Sequence, residues 1–104
     1  INAGLEPVSR SSVAWGDYDN DNDLDILLTG YTDDKKAVTH IYRNNKGVFT
    51  KIPLNNIVGV IRSSVAWGDY DNDNDLDFVI SGVDQNNKRI TKLYQNQGNE
   101  QFNE

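Results

Sequence analysis

The sequence predicts an all-β fold built from two copies of one four-stranded unit. Residues 10–25, RSSVAWGDYDNDNDLD, recur without a change at residues 62–77, a shift of 52 positions. Around these copies, short β-branched or aromatic runs alternate with turn-forming residues, which is typical of strands and hairpins. No segment keeps a helical apolar period over about ten residues. A repeat with a period near fifty is the signature of an array or a propeller, so it outranks any local feature in deciding the fold class.

Four strands are expected in each unit, joined up and down. In the first copy they are predicted at SSVAWG (11–16), DILLTG (25–30), AVTHIY (37–42) and VFTKI (48–52). The second of these is a nearly continuous apolar run, which suits a strand buried on both faces. The connections TDDKK and NNKG are rich in turn-forming residues. The second copy follows the same order and stops at residues 101–104, where its fourth strand should begin.

Antiparallel four-stranded units whose faces are covered by neighbouring units predict the blades of a β-propeller. The predicted blades are residues 1–52, with an acidic loop at 17–25, and residues 53–104, with an acidic loop at 69–77 and a truncated last strand. Propellers close with about four to eight blades, whereas this sequence supplies two repeats. We therefore expect an incomplete propeller from a longer array, or a ring completed by self-association through exposed apolar faces.

The acidity of the chain is confined to the two loops. Ten of the 16 acidic residues lie there, so that the remaining six face ten basic residues. This distribution argues against a nucleic-acid partner, which would favour a basic face. The chain has no cysteine, which excludes disulfides and thiolate metal sites. It also has no apolar run of the length needed for a membrane span.

Aspartate occupies every second position of both loops. The first loop contains Asp17, Asp19, Asp21, Asp23 and Asp25, and the second contains Asp69, Asp71, Asp73, Asp75 and Asp77. Without a counter-ion, their mutual repulsion would oppose a compact loop. Ca²⁺ takes about six to eight oxygen ligands, whereas Mg²⁺ demands a tighter octahedron and softer metals prefer histidine or thiolate. We therefore predict two structural Ca²⁺ sites, one per repeat; a solvated acidic turn is the alternative.

The expected roles differ along each loop. Side-chain ligation is expected from the first, second, third and fifth aspartate, and main-chain ligation from the fourth, Asp23 or Asp75. Asn22 stands at the sixth position, where the chain must turn sharply and where asparagine tolerates a left-handed conformation. Leu24 is expected to fold toward the core, whereas Tyr18 and Asn20 are expected to project outward.

Aromatic residues recur at two further positions. Trp15 and Trp67 precede the acidic loops, and packing between blades is the expected role, with a sugar-stacking platform as the alternative. Tyr42 and Tyr94 are likewise expected to pack within or between blades. His40 aligns with a lysine of the second copy, so we expect a solvent-facing strand position rather than a ligand.

The segment WGDYDNDNDLDILLTG, followed by THIYRNN and VF, resembles the FG-GAP or VCBS-type repeat of integrin-like β-propellers. The resemblance covers both copies and nearly the whole chain. It implies a propeller in which calcium is held between the first two strands of a blade. It also implies an extracellular or cell-surface location and a role in adhesion, carbohydrate binding or the support of an enzyme. Asn22 and Asn74 stand where the family usually has glycine.

On this basis we predict a calcium-stabilised module that acts as a non-catalytic binding or adhesion scaffold, with an extracellular protein or carbohydrate as ligand. A structural segment attached to a secreted enzyme, or a lectin-like carbohydrate binder, is the alternative. Catalysis is not expected, because a catalytic site gives one repeat a special group, and the two copies differ mostly in exposed loops. Self-association is expected to be head-to-tail, closing as trimers of six blades or tetramers of eight; stacking of chains, or exchange of the unfinished strand, is the alternative.

Overall fold

The computed structural model describes residues 3–54 and 56–104, and within these residues every regular element is a β-strand. Two antiparallel sheets form, with the strand orders β1-β2-β3-β4 and β5-β6-β7-β8. The predicted all-β class and the up-and-down order of four strands per repeat are confirmed. The strands are β1 (Ser9–Gly16), β2 (Asp25–Tyr31), β3 (Ala37–Asn45), β4 (Val48–Lys51), β5 (Ile61–Gly68), β6 (Asp77–Val83), β7 (Arg89–Asn96) and β8 (Phe102–Asn103).

Both sheets lie inside the predicted blade ranges 1–52 and 53–104, whose boundaries stay a prediction. Residues 1, 2 and 55 of those ranges lie outside the described residues. Strand β1 begins earlier than expected and contains a bulge between Ser9 and Ser12, where Arg10 has a φ of 49°. Strand β3 runs three residues past its predicted end because Asn44 and Asn45 pair with β4.

The base of each acidic loop is closed by the same pairing in both sheets. Gly16 pairs with Asp25 across β1 and β2, and Gly68 pairs with Asp77 across β5 and β6. Each acidic loop therefore connects the first two strands of its sheet. Because the paired strands fix both ends, the eight residues between the paired positions must form one compact loop.

The main hydrophobic core lies between the two sheets. Leu27 and Ile41 of the first sheet are fully buried there, together with Phe78, Ile80 and Tyr94 of the second. Burying each such aliphatic or aromatic side chain contributes about 1.5–3 kcal/mol. The larger of the two hydrophobic clusters thus lies at the interface between the repeats.

A smaller cluster covers the outer face of the first sheet. Ile26, Leu28 and Tyr42 are buried there beneath Leu5 and Val8. The prediction that both tyrosines pack in the interior is confirmed, because Tyr94 is buried at the equivalent place in the main core.

Two sequence-based expectations need correction. The two tryptophans are not equivalent: Trp67 packs against the main core, whereas Trp15 is 58% exposed, so its predicted packing is wrong within the chain. His40 does not face solvent freely. Its Nε2 lies 2.8 Å from Glu6 Oε1, and its ring packs edge-on against Tyr42. Both differences from expectation arise from what packs on the outer face of the first sheet: Glu6 covers His40, and Trp15 is left exposed. The periodicity of a strand does not predict these contacts.

Candidate metal centre

Each acidic loop brings four carboxylates together. One oxygen from each of Asp17, Asp19, Asp21 and Asp25 lies within 4.8 Å of the others. The second loop groups its carboxylates in the same way, through Asp69, Asp71, Asp73 and Asp77. These are the first, second, third and fifth aspartates, the set expected to offer side-chain oxygens.

Main-chain amides bind the first and third carboxylates and so give the loop its shape. The Asp17 carboxylate accepts hydrogen bonds from the N–H groups of Asp21 (3.1 Å) and Asn22 (2.9 Å), and Asp21 accepts one from Asp23 N–H (2.9 Å). The second loop repeats all three bonds at the same distances. Asn22 and Asn74 have φ values of 72° and 71°, which confirms the predicted left-handed turn at the sixth position.

The last aspartate of each loop is its buried anchor. Asp25 is fully buried and accepts hydrogen bonds from Tyr18 N–H (3.2 Å) and Asn44 N–H (2.8 Å). Asp77 is equally buried and accepts the corresponding bonds from Tyr70 N–H and Asn96 N–H. The anchor thus ties the loop to the third strand of its own sheet.

Asn44 and Asn96 belong to the site, although sequence reasoning did not assign them to it. Asn44 Nδ2 donates to the Leu24 carbonyl at 2.9 Å, and Asn96 Nδ2 donates to the Leu76 carbonyl at 3.1 Å. Both asparagines follow a repeated tyrosine by two positions, in IYRN and LYQN. That shared spacing was the available signal for a loop-fixing residue.

The fourth aspartate of each loop points away from the carboxylate cluster. Asp23 Oδ2 accepts a hydrogen bond from Lys46 N–H at 3.1 Å, and Asp75 Oδ1 accepts one from Asn20 Nδ2 at 3.1 Å. The expectation that these residues contribute a main-chain oxygen instead stays a prediction.

The residues between the aspartates depart from expectation in the first loop. Leu24 is 53% exposed and Tyr18 is buried, so the predicted directions of both side chains are wrong. Tyr18 stacks on Trp67 of the second sheet, and its hydroxyl donates to Glu100 Oε2 at 3.0 Å. In the second loop Tyr70 is exposed and Leu76 packs against the core, which is the arrangement that was expected of Tyr18 and Leu24 in the first loop. The difference arises because only the first loop has a neighbouring sheet on that side.

The family model for the FG-GAP-like repeat matches residues 17–80, more than half of the chain. The chain belongs to the FG-GAP-like repeat family. The resemblance noted in the sequence is thereby confirmed. No curated protein and no solved structure matches the chain.

FG-GAP-like repeats are typically non-catalytic modules of β-propeller-like structure, and they are typically found in extracellular proteins. The matched range begins at the first aspartate of loop 17–25 and ends in β6, so it includes both acidic loops. In residues 3–54 and 56–104, no helix has the length and apolar character that a bilayer crossing requires.

The first loop of this FG-GAP-like chain is short of positive charge. Partial desolvation within the carboxylate cluster, reinforced by the charge of Asp25, raises the pKa of Asp19 to about 7 although its side chain is exposed. Burial also raises the pKa of Asp25 to about 6, with the charges of Asp21 and Asp17 adding to the effect. The ion pairs formed by described residues join His40 to Glu6, Arg43 to Glu100 and Lys92 to Glu104, so no loop aspartate is paired with a cation among them.

In the second loop, a neutral hydrogen-bond donor partly stabilises the negative charge of one aspartate. Gln95 Nε2 donates to Asp71 Oδ2 at 2.6 Å, and this bond lowers the pKa of Asp71. The first repeat has Arg43 at the position of Gln95, but Arg43 pairs with Glu100 at 2.7 Å instead. The two FG-GAP-like loops are therefore the same in shape and different in electrostatic environment.

The donor set fits a hard divalent cation. It consists of carboxylate oxygens held close together by main-chain hydrogen bonds, which is the ligand chemistry that Ca²⁺ prefers. The acidic cluster in each repeat could therefore bind a metal ion through its first, second, third and fifth aspartates. In the absence of an ion, the same carboxylates repel one another.

The ion-free protein is expected to lose stability as the pH rises from about 4 to about 7. The folded-state pKa values of Asp19 and Asp25 lie above their ordinary value of 3.8, so the folded loop binds protons that the unfolded chain has released. The resulting stabilisation is complete below the ordinary pKa and is lost as the pH passes through about 6 and about 7. Urea midpoints of calcium-stripped protein across this range measure the effect.

Asp19→Asn is the matched variant for this prediction. It removes the aspartate whose pKa is raised to about 7 and leaves His40, the single histidine, unchanged. The fall in the urea midpoint should be smaller in the variant than in the parent protein. A midpoint that rises between pH 5 and 7 in calcium-free parent protein would contradict the assignment of the raised pKa values.

Proposed function

We propose that the chain is a calcium-stabilised β-propeller repeat module that serves as a non-catalytic binding or adhesion scaffold outside the cell. Its two acidic loops each bind one Ca²⁺ ion. Its repeats associate with further repeats of the same kind to build a larger propeller. An extracellular protein or a carbohydrate is the proposed ligand of the assembled scaffold.

The observation that carries this proposal is the duplicated carboxylate cluster. Four carboxylate oxygens lie within 4.8 Å of one another in each loop, and none of these aspartates forms an ion pair among the described residues. A bound cation would supply the missing counter-charge. Asp17, Asp19, Asp21 and Asp25 would hold one ion, and their counterparts in the second loop would hold the other. A bound ion supplies positive charge at the connection between the first two strands, so that its binding energy becomes folding energy.

The location and the non-catalytic role are supported by the same site. Extracellular calcium modules bind their ion with a Kd of about 10⁻⁴ to 10⁻³ M, so such a site is filled outside the cell and largely empty in the cytosol. The loop hydrogen bonds are identical in the two repeats. A structural metal fits this symmetry, whereas a catalytic metal needs an additional acid, base or nucleophile in one repeat.

Isothermal titration of stripped protein with CaCl₂ tests the proposal. We expect two ions per chain. Asp19→Asn and Asp71→Asn should each weaken one of the two sites by at least about 10-fold, because calcium affinity depends on the number of charged ligands. Asp33→Asn is the matched control, because Asp33 is exposed and lies outside both loops, and it should leave both affinities unchanged.

Two results would count against the proposal. A titration without binding heat and without calcium-dependent chemical-shift changes would remove the metal role. Equal weakening by Asp33→Asn would show that only the net charge matters. The proposed ligand class is tested separately on a glycan array and on immobilised extracellular matrix proteins, with calcium present.

A further inference from the structure

We propose that a second copy of the chain docks head-to-tail, with its Trp15 inserted into the groove over Gly68 of the first copy. The proposal deepens the proposed function, on whose repeat-association role it rests, by assigning the surface through which the repeats associate. The chain itself supplies the template, because it already makes this contact once, between its own two repeats.

The internal contact is a tryptophan packed on a glycine. Trp67 of β5 lies over Gly16 so closely that a Cβ at Gly16 would be 2.6 Å from its ring. Its Nε1 donates to the Ala14 carbonyl at 3.3 Å, and its ring stacks on Tyr18 with a centroid distance of 5.9 Å. The contact thus needs a tryptophan on one sheet and a glycine, a carbonyl and a tyrosine on the other.

The same two sets of residues occur again on the two outer faces of the chain, where no other sheet covers them in the described residues. Trp15, the counterpart of Trp67, is 58% exposed on the outer side of the first sheet. On the outer side of the second sheet, Tyr70 is 55% exposed, whereas its counterpart Tyr18 is 2% exposed. A Cβ built on Gly68 meets no atom of the described residues within 4 Å.

A groove that could receive the tryptophan ring lies on the outer side of the second sheet. It has a volume of about 220 Å³ and is lined by Ala66, Gly68, Tyr70, Val79 and Leu93. These residues are the counterparts of the first-sheet residues that contact the second sheet. Because residues 10–25 and 62–77 are identical, the groove residues Ala66, Gly68 and Tyr70 and the exposed tryptophan are the same residue types as in the pair already joined inside the chain. The two remaining groove residues keep their apolar character, with Val79 in place of Leu27 and Leu93 in place of Ile41. A second copy is therefore the occupant that these faces fit.

Polar groups at the edge of the internal contact also recur. Asn20 Nδ2 donates to the Asn74 carbonyl and to Asp75 of the neighbouring acidic loop, both at 3.1 Å. Asn72 is free to make the corresponding bonds to Asn22 and Asp23 of a second copy. The acidic loops of adjacent copies would then touch, so that an ion-filled loop favours docking by lowering the repulsion between them.

One internal contact has no counterpart, so docking between chains should be weaker than the joint within a chain. Glu100 binds both Tyr18 and Arg43 across the internal interface. It lies where the second copy has a one-residue insertion, and Gln95 replaces Arg43. The contact between copies is heterologous, so it closes into a ring or extends as a filament.

Sedimentation velocity and native mass spectrometry in saturating calcium test the docking. The parent chain should form closed oligomers of about two to four copies, because propellers close with about four to eight blades. Gly68→Val places a branched side chain in the groove, where its Cβ meets no described residue within 4 Å, and Trp15→Ser removes the inserted ring. Each variant should weaken association by at least about 30-fold, the effect of losing an interface hot spot, with unchanged far-UV circular dichroism.

Mixing the two variants provides the decisive measurement. The Gly68→Val chain keeps its tryptophan and the Trp15→Ser chain keeps its groove, so an equimolar mixture should give a one-to-one heterodimer that cannot close into a ring. A parent chain that stays monomeric at its solubility limit would overturn the proposal. The two exposed faces would then have to be covered by something other than a second copy. Oligomers that survive both substitutions would also overturn the proposal.

The test separates this inference from the proposed function. Calcium binding by the monomeric Gly68→Val variant reports on the acidic loops alone. If that variant binds two ions while the parent protein remains monomeric, the docking proposal is wrong and the calcium site stands. If oligomers form without any calcium binding, the docking stands and the metal role is wrong.

Discussion

Saturating calcium is expected to raise the melting temperature of the chain by roughly 20 °C or more over the stripped protein. At a free concentration about 100-fold above Kd, each site contributes about 2.7 kcal/mol, so two sites contribute about 5.4 kcal/mol. For a domain of this size, each kcal/mol moves the melting temperature by about 4–8 °C. The physical reason is that the ion removes the repulsion among four carboxylates that the ion-free loop must hold within 4.8 Å.

Differential scanning calorimetry with calcium and with excess chelator measures this shift. The Gly68→Val variant is the appropriate background, because it separates metal binding from association. The double variant Asp19→Asn/Asp71→Asn should lose most of the shift, whereas Asp33→Asn should keep it. Coincident melting curves with and without calcium in the parent protein would refute the structural role of the metal.

Gly59→Ala is expected to destabilise the fold by about 3 kcal/mol or more. A Cβ at residue 59 would lie 2.0 Å from the Ala37 carbonyl oxygen and 2.8 Å from Val38 Cα. Both atoms belong to the main chain of β3, so no side-chain rotation relieves the clash. The segment between the sheets would have to move away from β3 and give up the Val38–Val60 bridge and the Thr39 Oγ1 bond to the Val58 carbonyl.

The matched control is Gly68→Ala, measured at a concentration low enough to keep the chain monomeric. Gly68 has open space around its Cα among the described residues, so its substitution should change the free energy of unfolding by less than about 0.5 kcal/mol. Urea denaturation of both variants gives the comparison. A Gly59→Ala midpoint equal to that of the control would show that this segment is not held against β3 in solution.

Much of the fold followed from the repeat. The identical residues 10–25 and 62–77 required two equal units, and β-branched runs between turns located the strands of the first sheet to within a few residues. Strand ends were less accurate, because pairing rather than composition extends β3 to Asn45. Gly59 gave no signal at all, since its importance comes from a close approach to a strand that lies about twenty residues earlier in the chain.

The candidate site was predictable to a similar degree. Aspartate at every second position indicated a cation site because carboxylates have few other reasons to cluster, and Asn22 indicated the left-handed turn. The directions of Tyr18 and Leu24 were not predictable from the loop. The same nine residues bury the tyrosine in one repeat and expose it in the other, so local sequence cannot contain the answer.

The sequence by itself determined the strand composition, the duplication and the two clusters of acidic oxygen donors, because these depend on residue type and spacing along the chain. Only the tertiary structure decided which face of each repeat is covered. Trp15 and Trp67 lie in identical segments, yet Trp67 is half-buried against Gly16 of the neighbouring sheet, whereas Trp15 is exposed. Whether a side chain is buried depends on whether another sheet packs beside it. In the described residues the two sheets cover each other's inner faces, and the outer faces with Trp15 and Tyr70 stay exposed.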